Sequence, residues 1–219
     1  GTATSAAIFS TGALTSPTTL GSEVDYITIK NNVIKGAYYG IALSGISTTS
    51  FDKGFLIEGN TLLKQYYYGM RLFVFEEIVI KNNRFDLSRI TSSYGMYVFY
   101  TRNVDIEGNF MNAQGYGLYM YYTNYQITGT IPANRIVNNM LKGNTYGFYA
   151  YSLRDYKFYH NTCVGGTYGY YLSGITTAGQ EIRNLDTRNN IFTGNTYPFY
   201  QVTAFTTAQN SVLDYNAYR

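Results

Sequence analysis

An asparagine closing a short β-branched run recurs along this chain, at Asn32, Asn60, Asn83, Asn109, Asn139, Asn161, Asn190 and Asn216. A second marker, Tyr-Gly, follows at Gly40, Gly69, Gly95, Gly117, Gly147 and Gly169, and Tyr197-Pro198 takes its place in the last full repeat. The step from Asn to Tyr is 7 residues in most repeats, 8 and 11 in two, whereas the step from Gly to the next Asn varies from 14 to 22, so insertions are confined to particular turns of the unit. Self-similarity at such a period marks a solenoid, in which each coil covers the apolar face of the last and extra loops project outward.

Aligning the coils on the asparagine tests this. Three residues before it stand Ile29, Ile57, Ile80, Ile106, Ile136, Phe158, Thr187 and Leu213, and two after it Ile34, Leu62, Phe85, Met111, Leu141, Cys163, Phe192 and Tyr218. Directly after the glycine come Ile41, Met70, Met96, Leu118, Phe148 and Tyr170, and two further on Leu43, Leu72, Val98, Met120, Ala150 and Leu172. Apolar positions spaced by two belong to strands with one buried face. These columns are the expected core. About seven coils of parallel strands at ~4.8 Å spacing predict a rod on the order of 35 Å long.

The residue before each asparagine is Asn31, Gly59, Asn82, Gly108, Asn138, His160, Asn189 or Tyr215. Gly, Asn and His tolerate positive φ best, which predicts a left-handed bend at this column. The asparagines beside it, Asn32, Asn60, Asn83, Asn109, Asn139, Asn161 and Asn190, are expected to stack as a ladder whose amides satisfy the turn backbone.

Composition agrees and excludes other classes. Charged residues are only 13% of the 219, while 26 Tyr and 13 Phe supply the aromatic content without Trp. Glu, Lys, Ala and Leu are too scarce for a helical bundle, and 45% hydrophobic residues are too many for disorder. No stretch approaches 18 consecutive apolar residues, so no membrane span is expected. A net charge of +3, dispersed along the chain, does not suggest a nucleic-acid partner. One cysteine excludes a disulfide framework. The opening Gly1-Thr2-Ala3-Thr4 has neither a start Met nor a signal-peptide pattern, which suggests a segment of a longer protein whose neighbouring domains are partners.

The Ile-x-Ile-x-x-Asn pattern, followed by a Tyr-Gly-Ile/Met/Leu strand, resembles the right-handed parallel β-helix repeat of the pectate-lyase-like superfamily over roughly residues 24–219. That resemblance implies an all-β solenoid of about seven coils with an asparagine ladder; it is specific for fold and poor for function. Residues 1–23 are expected to form a partial leading coil or cap, with Ile8 and Phe9 inside it, ahead of a 24–219 domain. More narrowly, Arg188-Asn189-Asn190-Ile191-Phe192 and Leu213-Asp214-Tyr215-Asn216 resemble β-helix segments of large Bacteroidetes surface proteins exported by the type IX route. That likeness implies an extracellular or cell-surface location.

Charges bear on catalysis. Two residues before the asparagine the column runs Lys30, Glu58, Lys81, Glu107, Val137, Tyr159, Arg188, Asp214, alternating in sign where charged neighbours meet. Asp25, Lys53, Glu76 and Arg102 form another such column, and Asp105 precedes Arg135 as Lys157 precedes Asp186. Opposite charges on adjacent strands stabilise a sheet by roughly 0.2–1 kcal/mol per pair, which accounts for them structurally. Lyases and epimerases of this fold need a base and a cation beside a uronate carboxylate, and hydrolases need carboxylates within about 5–9.5 Å. No column puts two acids on adjacent coils, and the contiguous pair Glu76-Glu77 should point to opposite faces. Asp52, Glu77, Asp155 and Glu181 lie in less regular segments from which loops could still assemble a site, so a carbohydrate-active enzyme remains the alternative. The lone His160 falls in the bend column and Cys163 in the core column; no catalytic residue, metal or cofactor is expected.

The remaining signal is aromatic. Two residues after the Tyr-Gly glycine stand Ala42, Arg71, Tyr97, Tyr119, Tyr149, Tyr171 and Tyr200, and two further on Ser44, Phe73, Phe99, Tyr121, Tyr151 and Ser173. Alternation predicts that both face solvent. Arg71, Tyr97, Tyr119, Tyr121, Tyr149, Tyr151, Tyr171 and Tyr200 are therefore the candidate ligand-binding residues, for a polysaccharide or surface glycan stacking on exposed rings. Insertions near 45–53, 123–132 and 174–184 follow this strand and could wall the platform. The sequence thus predicts a non-catalytic structural or adhesive segment.

Overall fold

The structure is a computed structural model and describes residues 5–13, 15–21, 23–87, 92–124, 132–175, 177, 181–202 and 211–219. Parts of the insertions expected near 123–132 and 174–184 lie outside these residues. Among these residues all regular elements are strands. No helix is long and apolar enough to cross a membrane among the described residues.

Each coil contributes three strands, as in Met140–Gly143, Tyr146–Tyr151 and Arg154–Tyr159. Each strand pairs in parallel with its equivalent one coil on, which builds three walls. The short wall, after the asparagine, is an eight-stranded sheet. The tyrosine wall, after Tyr-Gly, and the charged wall, before the next asparagine, belong to a 14-stranded sheet. In Tyr68–Lys81 and Tyr94–Glu107 one strand runs through both of the latter walls. It bends where Val74, Glu77, Tyr100 and Asn103 take positive φ. The bend at Glu77 falls within the Glu76-Glu77 pair, where simple alternation does not hold.

Register confirms the columns. Met111 pairs with Leu141, Leu141 with Cys163 and Cys163 with Phe192, all fully buried. Ile57, Ile80, Ile106, Ile136 and Phe158 stack likewise on the charged wall. Apolar burial at ~25 cal/mol per Å² drives this packing, and each coil depends on its neighbours to complete it. Burial pushes the Cys163 thiol well above its ordinary value, so it behaves as a small apolar side chain.

All eight residues of the bend column have positive φ, from 51° at Tyr215 to 66° at Gly59. The ladder beside them is continuous. The Asn109 N–H and Nδ2 both donate to Asn139 Oδ1, at 2.9 and 3.0 Å, and Asn139 donates in the same two ways to Asn161 Oδ1. The pattern holds from Asn32 to Asn216. From Asn60 onward each Nδ2 also reaches back to the preceding coil, Asn109 to Ile80 C=O and Asn139 to Ile106 C=O, both at 2.9 Å. Buried amides thus meet their partners where the chain turns inward away from water.

The Tyr-Gly glycine is a packing requirement rather than a φ requirement. A Cβ on Gly117 would sit 2.6 Å from Gly147 C=O oxygen and 2.9 Å from the Lys142 nitrogen. Short and tyrosine walls meet there backbone to backbone, and the glycine and the residue after it both turn inward. The tyrosine before the glycine therefore joins the outward side with the residues two and four after it.

Candidate functional site: the tyrosine wall

The outer face of the tyrosine wall carries three aromatic columns. The middle one contains five of the predicted residues in register: Tyr97, Tyr119, Tyr149, Tyr171 and Tyr200. Ring centroids are 4.8 Å apart for Tyr97–Tyr119 and Tyr149–Tyr171, with planes 8° and 17° apart; Tyr119–Tyr149 is edge-on at 4.6 Å. Beside it, Tyr121 stacks on Tyr151 at 4.8 Å and Phe73 on Phe99 at 4.0 Å.

The third column consists of the marker tyrosines themselves. Tyr39, Tyr68, Tyr94, Tyr116, Tyr146, Tyr168 and Tyr197 form a run of face-to-face contacts 4.4 to 5.5 Å apart. These residues were legible in the sequence as register marks, and the signal for their role was the same spacing. What hid it was the glycine, because two consecutive inward residues break the alternation that assigns faces.

Two expectations need correction. Stacked rings hide their flat faces from solvent: most of these tyrosines are only half-exposed, and the wall presents ring edges and hydroxyls. The first coils also depart from the exposed pattern, since Ala42, Ser44 and Arg71 are buried, as is Ser173 further along. Residues ahead of the first coil cover that end: Ser44 Oγ donates to Pro17 C=O and the Gly21 N–H to Gly45 C=O. Arg71 donates to Ser44 Oγ at 3.0 Å and lies over Phe99, its guanidinium carbon 4.7 Å from the centroid. Burial lowers its pKa from the ordinary arginine value, opposed by Tyr39, Tyr68 and Tyr97 around it.

Burial also raises the tyrosine hydroxyls. Tyr146 is pushed up to about 12, by desolvation first and by Tyr116 second. Tyr68, Tyr94, Tyr119 and Tyr149 are raised further, again chiefly by desolvation. These five hydroxyls are neutral hydrogen-bonding groups at ordinary pH.

A family model described as a right handed beta helix region matches residues 18–163, two thirds of the chain. The chain belongs to that right-handed β-helix family. No curated protein and no solved structure matches it.

Elsewhere on the β-helix, several acidic side chains engage cations, amides or backbone. Glu58 bridges Lys30 at 2.8 Å and Lys81 at 3.4 Å. Arg135 holds both Asp105 and Glu107, so Glu107 engages the next coil. Asp186 takes Arg188 and the Tyr159 hydroxyl, both at 2.5 Å, rather than Lys157. Of the acids in irregular segments, Asp52 accepts the Val24 N–H, Asp155 the Asn184 amide, and Glu181 lies 3.6 Å from Arg183. Among the described residues, no group of three or more His, Cys, Asp or Glu could hold a metal ion. His160 sits exposed in its bend at φ 56°.

Proposed function

We propose that this β-helix is a non-catalytic, stiff display segment of a cell-surface or secreted protein, and that its tyrosine wall adheres to polysaccharide through ring edges and hydroxyls. The β-helix fold serves pectate-lyase-like enzymes and structural or adhesive proteins alike, so the side chains must decide. One observation carries the reading: three aromatic columns, rich in tyrosine, run in register along one outer wall with ring centroids repeating at 4.4 to 4.8 Å in contacts such as Tyr94–Tyr116, Tyr97–Tyr119 and Tyr121–Tyr151, so phenol hydroxyls recur from coil to coil. A polymer with hydroxyls along its length can meet such a series at many points, each weak. The enzymatic alternative, a lyase or epimerase on uronate polymers, draws less support, because Glu58, Asp105, Glu107 and Asp186 are engaged by arginine or lysine, and Asp25 and Asp52 by backbone N–H groups.

The test separates hydroxyl from ring. Changing Tyr119, Tyr149 and Tyr171 together to Phe keeps the stacks and removes three hydroxyls, worth about 0.5–1.5 kcal/mol each where they bond a ligand. Melting should stay unchanged while retention in affinity electrophoresis gels containing soluble cellulosic, xylan or pectic polymers falls by one to three powers of ten in affinity. Equal retention of variant and parent on every polymer defeats the reading.

A further inference from the structure

Arg71 is a buried cation with no counterion. It is 8% exposed, and its Nη1 donates to Ser44 Oγ at 3.0 Å. Among the described residues it forms no other hydrogen bond and no ion pair. The chain has 13 acidic residues, all of them described, and the ion pairs they make go to other cations. Arginine is almost never buried this fully without a charged partner, because an ion taken out of water loses more than neutral contacts return.

The surroundings of Arg71 suit a visiting anion. Its guanidinium carbon lies 4.7 and 5.4 Å from the ring centroids of Phe99 and Phe73. Those rings attract the group but bring no negative charge to it. Ser44 engages one terminal nitrogen. What remains is the edge made by Nε and Nη2, whose two parallel N–H donors match a pair of oxygens on one oxoanion. Tyr39, Tyr68 and Tyr97 stand around the guanidinium, and burial keeps their phenols protonated, so they can donate to an anion without competing with it. Tyr68, Phe73, Tyr97 and Phe99 border the group and are only half-buried, and Arg71 itself is in register with Tyr97. The way in is therefore from the outer face of the tyrosine wall.

We propose that Arg71 is an oxoanion-binding site, which takes a carboxylate or sulfate group of an acidic polysaccharide lying along the tyrosine wall. That the anion belongs to a polysaccharide rests on the reading of the wall given above; the site itself rests on the unpaired guanidinium.

Two experiments test this. In thermal melts of the 219-residue chain, sodium formate should raise the midpoint above that in sodium chloride at equal ionic strength, because an anion bound by the folded state stabilises it. Arg71→Gln should lose that difference. Lys35→Gln, which removes a positive charge from an exposed position on the short wall, should keep it. In affinity electrophoresis, carboxymethyl-cellulose or cellulose sulfate should hold the chain about ten- to a hundredfold more tightly than hydroxyethyl-cellulose, and the tighter of the two names the group. Arg71→Lys should lose most of this preference with its charge unchanged, because an ammonium has no planar pair of donors. Formate no better than chloride, or a formate response kept in Arg71→Gln, overturns the site. Equal retention by all three celluloses overturns the polysaccharide as the source of the anion and leaves the wall reading standing. Retention by none of them defeats the wall reading as well, and the melts alone then decide on the site.

Discussion

Tyr94 and Tyr116 lie face to face, their centroids 4.4 Å apart and their planes within 3°. A contact this close leaves no room for a ligand between the rings, and it repeats from coil to coil. The aromatic ladder is therefore as much a structural element as the asparagine ladder on the other side of the coil, and the two respond differently to mutation and pH.

Asn109→Ala should lower stability by roughly 1–3 kcal/mol, since it strands the Asn83 amide donors and the Ile80 carbonyl in a buried turn. Asn109→Asp should do no better, because a carboxylate cannot donate to Asn139 Oδ1. Thermal melts of both variants give the answer, and a parent-like transition for either is the contrary result.

Position 160 probes the bend. His160→Gly should melt within a degree or two of the parent, whereas His160→Val should cost about 1–2 kcal/mol, because a β-branched side chain resists the left-handed conformation held there. Urea titrations that rank Val with Gly contradict a backbone requirement.

Glu58 makes stability depend on acid. Its hydrogen bond to Lys30 and the nearby Lys81 hold its carboxyl below the ordinary 4.5. A depressed pKa means the stabilisation is complete above the unfolded value and disappears as pH falls through the folded one. Melting temperature against pH should therefore drop below about pH 4.5 in the parent and drop less in Glu58→Gln.

At the alkaline end the sign reverses. Tyr146 and its neighbours ionise above their ordinary value of 10.0 because burial disfavours the phenolate. A raised pKa stabilises the fold below the unfolded value and ceases to do so as pH rises through the folded one. Phenolate absorbance of the native chain should lag that of the urea-unfolded chain between pH 10 and about 12, and superposable curves are the contrary outcome.

The columns that repeat in every coil could be read before the fold was seen: the core isoleucines, the bend, the ladder and the Lys30–Glu58–Lys81 alternation. Each depends only on what lies one coil away, and the spacing states that directly. Harder to read were features set by rotamers or by a segment outside the repeat. Arg71 was placed on the correct face, but the cover over Ser44 comes from residues around Pro17 that carry no repeat signal. Arg135 reaches two carboxylates because its side chain is long, which no column records. The ring-on-ring stacking follows from in-register parallel pairing, but the sequence reveals which face a tyrosine occupies and not the angle at which its ring settles.

The direction of the hydrogen bonds between coils has a mechanical consequence. They run along the rod, so tension on its ends loads the outermost strand bonds one after another instead of sharing force across many. Each coil yields separately and releases a fixed length of chain. For the 22-residue coil between Asn139 and Asn161 that length is roughly 75 Å when fully extended. Under load the segment would lengthen in a staircase and shield whatever it tethers from sudden jerks.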